Sequence, residues 1–175
     1  SQLELKLGAR PLRDGGTRNV AALEALLTGR GLLRFPNSQS MAAAVPHLER
    51  AIELDPKYVT AWLWLADAYT RVAFDPQKTS QAYRRQDAVI DEVVRIAPGS
   101  PEASLALSYR ATRGRDLQEL ERLLREGLHV PGELGLRARL RLSQFLSSTG
   151  QREQGIAEIL KVRASDPLDV FVQTQ

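Results

Sequence analysis

The chain contains no cysteine, which excludes a disulfide-stapled scaffold and a cysteine-ligated zinc site and leaves the redox compartment open. It has only two histidines, His47 and His129. Ala51 and Glu133 stand at their i+4 positions, and Glu133 lies past the helix-ending Pro131, so neither histidine has a second metal ligand one turn along a helix. Both read as structural or surface residues, and acyl transfer, which needs a base within reach of a nucleophile, is not expected. Gly29 and Gly31 fall inside a helical pattern with no strand before them, so they do not form a phosphate-binding turn. No apolar run reaches the roughly 18 residues that span a bilayer, and no signal peptide is expected. Excess charge is also small. The formal net charge is +3 over 175 residues with both signs interspersed, not the concentrated basic face of a nucleic-acid reader. The densest basic stretch, Arg137, Arg139 and Arg141, reads as a solvated helix face. The carboxylates Asp91, Glu92, Glu119 and Glu121 alternate with basic residues and read as ion-pair partners.

What the chain does have is 43% hydrophobic residues, enough to argue against disorder, and a helical period. Trp62, Leu65, Ala66 and Tyr69 fall at i, i+3, i+4 and i+7 and so share one helical face; Ile90, Val93 and Pro98 follow. The small residue in that set lets a second helix approach closely. This pattern resembles the tetratricopeptide repeat, about 34 residues long with a W-x-x-L-G-x-x-Y start and a terminal proline. Ala66 stands where the family has glycine. The same template fits the rest of the chain, and the small position then reads Gly29, Ala66, Ser108, Ser143. The resemblance implies an all-α fold, a right-handed α-solenoid of about four helix-turn-helix repeats. They span about 22–58, 59–100, 101–135 and 136–169, with a further helix starting at Val170 to Gln175. Residues 1–18, where the alternation of Leu3, Leu5 and Leu7 allows either a strand or the end of a helix ahead of a glycine-rich linker, read as a segment from an upstream domain, and 19–175 as the array.

The match has gaps. Ser104 and Arg139 stand where a large apolar residue belongs, and Gln86 where the second helix wants a small one. Pro36 and Asn37 break one helix, and Asp75 and Pro76 end another, after which Thr79 or Ser80 can cap a long fourth helix of about 80–96. The opening run, Leu5-Lys6-Leu7-Gly8, Gly16-Thr17-Arg18-Asn19 and Leu26 to Gly31, resembles the junction in bacterial multidomain regulators where an α/β domain meets tetratricopeptide repeats. Winged-helix transcriptional regulators and class III adenylate cyclases are of this kind. That resemblance implies a regulatory piece of a larger bacterial signalling protein, either cytoplasmic or on the periplasmic face of a membrane-anchored one.

In the tetratricopeptide family the first helices of successive repeats line a concave groove. Registry puts Leu26, Leu63, Leu105 and Leu140 at the fifth position, Arg30, Asp67, Tyr109 and Gln144 at the ninth, and Arg34, Arg71 and Arg113 at the thirteenth, where Ser148 replaces the arginine in the last unit. These residues predict a partner-binding groove with an apolar floor and a basic edge, taking a protein or peptide with apolar and acidic groups. The leucines have an alternative reading, packing inside the array. No cofactor, nucleic acid or membrane insertion is expected. The expected function is a non-catalytic interaction scaffold, with self-association through the end helices as the second reading.

Overall fold

The computed structural model describes residues 16–35 and 37–165, and among these all regular structure is helical. Eight helices follow in order: α1 (Val20–Leu32), α2 (Ser38–Leu54), α3 (Val59–Val72), α4 (Thr79–Ile96), α5 (Pro101–Ala111), α6 (Leu117–Gly127), α7 (Glu133–Ser148) and α8 (Arg152–Ser165). The N-terminal leucine alternation, Pro36 and the helix start at Val170 lie outside the described residues. The chain divides into two compact units, Ser1–Pro98 and Gly99–Gln175.

Side-chain caps set four of the helix starts. Asn19 caps α1 by accepting from the Ala22 N–H at 3.2 Å, and its side-chain amide donates across to the Leu54 carbonyl at 2.9 Å. Thr17 donates to Asp55 at 2.6 Å, so the entry to α1 is pinned to the exit of α2. Asn37 caps α2, Ser100 caps α5 with Pro101 in the first turn, and Asp116 caps α6. The expected cap on α4 is absent. Lys78 holds the cap position without a side-chain bond, because the Thr79 hydroxyl donates instead to the Ala73 and Asp75 carbonyls and stitches the turn. Helix α4 still covers almost the range read from the sequence.

In the first unit α1 packs on α2, α2 on α3 and α3 on α4. Helix α3 is its centre, buried at every residue from Leu63 to Tyr69. Gly29 fixes the approach of α1 to α2, since a Cβ there would lie 2.8 Å from Leu48 Cγ. In the second unit α5 packs on α6, α6 on α7 and α7 on α8. Its core joins Leu120, Leu124, Leu142, Phe145 and Leu146. A Cβ at Gly127 would meet Leu105 Cβ at 3.2 Å, and one at Gly155 would lie 2.8 Å from the Ser143 carbonyl oxygen. Ala66, Ser108 and Ser143 are 0%, 0% and 3% exposed, and Gly29 is buried too, so every residue of the small row lies in the interior.

The three departures from the repeat pattern share one explanation. Buried Gln86 donates from α4 to the Ala66 carbonyl of α3 at 2.8 Å and to Thr70 Oγ1 at 2.6 Å. Ser104 of α5 donates to Glu126 of α6 at 2.6 Å. Arg139 of α7 pairs with Glu158 of α8 at 2.6 Å. Each polar residue at an apolar position finds its partner on the other helix of its own hairpin, as a buried polar group must.

Candidate functional site

The residues at the fifth, ninth and thirteenth positions fall into two classes. Leu26, Leu63 and Leu105 are 2%, 0% and 0% exposed and belong to the interior. Leu140 is half-buried. Three of the four leucines therefore serve packing in this structure, and only Leu140 offers apolar surface. Asp67 is buried as well, and its carboxylate accepts from Arg71 Nε at 2.9 Å within one turn of α3. With side chains only 10% and 11% exposed, this pair is held as a unit. Arg34, Arg113 and Gln144 are exposed and retain side chains a partner could reach.

The ninth position carries an arrangement that single-position registry misses. The Arg30 guanidinium lies over the Trp64 ring at 5.0 Å in the first unit, and the Arg141 guanidinium over the Tyr109 ring at 4.0 Å in the second. In both, the ninth residue of one first helix meets the sixth residue of the next, with cation and aromatic exchanged. Cation–π contacts of this kind contribute about 0.5–2 kcal/mol depending on solvent access. Trp64 and Arg141 were not among the expected groove residues, and only comparing position nine with position six of the following unit would have found them. Arg141 also donates to Thr112 at 2.8 Å.

The arginine run therefore does not form a solvated face. Arg137, Arg139 and Arg141 are all half-buried, paired respectively with Glu133, with Glu158 and with the Tyr109 ring. By contrast, the acidic residues of α4 and α6 behave as helix-surface partners. Glu92 pairs with Arg95, Glu119 and Glu126 with Arg122, and Glu121 with Arg125. The hydrogen bond from Arg122 holds the Glu119 carboxyl below its usual range, and Ser104 and then Arg122 do the same for Glu126. Burial pushes Glu158 up, but Lys161 and Arg139 together outweigh it and the net shift is downward. Burial raises the Tyr58 and Tyr69 hydroxyls. Each of these shifts has an ion pair, a hydrogen bond or burial within the fold as its cause.

His47 and His129 are both exposed. Among the described residues no group of three or more His, Cys, Asp or Glu side chains is placed to hold a metal ion, and no helix is long and apolar enough to cross a membrane. No protein-family model matches this chain, and no curated protein matches it either.

Proposed function

We propose that the chain is a non-catalytic interaction scaffold, a right-handed α-solenoid of tetratricopeptide-like hairpins serving as a regulatory part of a larger bacterial signalling protein. The observation that carries this reading is the small buried residue at one registry position of every hairpin: Gly29, Ala66, Ser108 and Ser143. Stacked hairpins need such a row because neighbouring helices meet at backbone distance there. In the second unit Arg113, just past the end of α5, and Gln144 and part of Leu140 on α7 are accessible, so the partner is a segment with aliphatic and acidic side chains.

Selection from a displayed random-peptide library tests the reading. Enriched peptides should combine aliphatic and acidic residues, and Arg113→Glu and Leu140→Glu should each weaken them about tenfold, roughly 1.4 kcal/mol, with helicity unchanged. Failure to enrich any peptide, or binding indifferent to both substitutions, would remove it.

A further inference from the structure

The first unit has an open furrow on its other side. Helices α2 and α4 each pack on α3 but not extensively on each other. Between them lie adjoining cavities of about 410 and 220 Å³, both lined by Ala42, Val72 and Lys78. The walls are Ser38, Met41, Ala42 and Val45 on α2, and Lys78 at the cap of α4 followed by Gln81, Ala82 and Arg85 on α4. Val72 and Tyr69 of α3 form the floor. Phe74 borders one end at 80% exposure, the most exposed large hydrophobic side chain among the described residues. Together with Met41 and Val72 this ring gives the furrow an apolar stretch among its charged walls.

The charges choose the occupant. Arg71 is committed to Asp67 at 2.9 Å. Lys78 meets Asp75 at 3.2 Å and Arg85 meets Glu49 at 3.7 Å, with the two cations 50% and 55% exposed. Glu49 also accepts from the Tyr69 hydroxyl at 2.9 Å. Exposed pairs of this kind hold weakly, so an incoming carboxylate can share or replace either one. Exposed Arg84 adds a cation with no ion-pair partner among the described residues. We infer that this furrow docks an acidic amphipathic segment of a partner protein, seating an apolar side chain beside Phe74 and Val72 and carboxylates against Lys78 and Arg85. The inference rests on the scaffold reading and adds a second surface to it, on the second helices of the hairpins.

The probe is a labelled helical peptide with leucine at i, i+4 and i+7 and glutamate on its flanks, followed by fluorescence anisotropy. The intact chain should bind it. The double substitution Lys78→Glu with Arg85→Glu should weaken it at least tenfold, and a peptide with lysine for glutamate should recover binding to that variant. Phe74→Ser should weaken both peptides, while Arg113→Glu should change neither. Recovery by charge exchange requires a folded variant, so lost binding cannot be mistaken for lost structure. No binding, or binding unaffected by the double reversal, overturns the furrow assignment. Binding lost on Arg113→Glu alone also overturns it, while leaving the scaffold reading standing.

Discussion

Glycine does opposite things at two positions of α1. At Gly29 a methyl group would press on Leu48 Cγ at 2.8 Å and Cδ2 at 2.9 Å, and the Ala44 carbonyl oxygen stands at 3.3 Å. At Gly31 there is nothing within 4 Å. Alanine favours a helix over glycine by up to about 1 kcal/mol, whereas overfilling a packed contact costs about 1–3 kcal/mol. Gly31→Ala should therefore stabilise by about 0.5 kcal/mol, and Gly29→Ala should destabilise by about 1 kcal/mol net. Urea titration followed by circular dichroism separates them, and equal shifts of the same sign would deny the close contact. The sequence already marked Gly29, because registry put it at the crossing point. It could not mark Gln86, Ser104 or Arg139 as anything but departures. Their hydrogen-bond partners, Ala66 and Thr70, Glu126 and Glu158, lie on the paired helix at distances that no local pattern encodes.

At the scale of the element, hairpins are held by an apolar stripe with polar links, and in the α7–α8 hairpin, where Ser143 also donates to the Gly155 carbonyl at 2.7 Å, the Glu158 pair shows what such a link contributes. Glu158 is paired with Arg139 across the hairpin at 2.6 Å and also carries Lys161 on its own helix, with its side chain 13% exposed. Its carboxyl titrates below the ordinary value in the folded chain, so it adds stability above about pH 4.3, the unfolded value, and loses it as pH falls through the folded one. Glu158→Gln should cost about 1 kcal/mol at neutral pH, with the difference from wild type shrinking below about pH 4 and disappearing once Glu158 is itself protonated. Paired urea titrations at neutral and acid pH measure this, and a pH-independent difference would assign the residue to packing alone. The sequence marked breaks at Asn37 and at Asp75, while the caps Asn37, Ser100 and Asp116 were not read as such, although each is local chemistry. The start of α4 misled because Thr79 spends its hydroxyl on the preceding turn, a choice set by the turn's shape.

At the scale of the whole molecule, the helical architecture of the described residues follows from a 3.6-residue apolar period repeated from α1 to α8. The candidate surface was less legible for a physical reason. Registry tells which residues share a helical face but not how deeply the neighbouring helices cover it, so the burial of Leu26, Leu63 and Leu105 stayed open until the helices were seen together. The pairing of Arg30 with Trp64 and of Tyr109 with Arg141 likewise needs two helices at once. The furrow between α2 and α4 depends on the spacing of two helices over a third, which a one-dimensional template does not carry.

The central claim is that hairpins nest only where the registry supplies a slender side chain. Equilibrium unfolding of Ala66→Leu, Ser108→Leu and Ser143→Leu, each beside a leucine placed at exposed Ser80 or Gln144, tests it most directly. The three interior substitutions should each lose about 2 kcal/mol or more while the exposed ones change stability by less than about 0.5 kcal/mol. Interior and exposed substitutions giving the same small change would contradict the account.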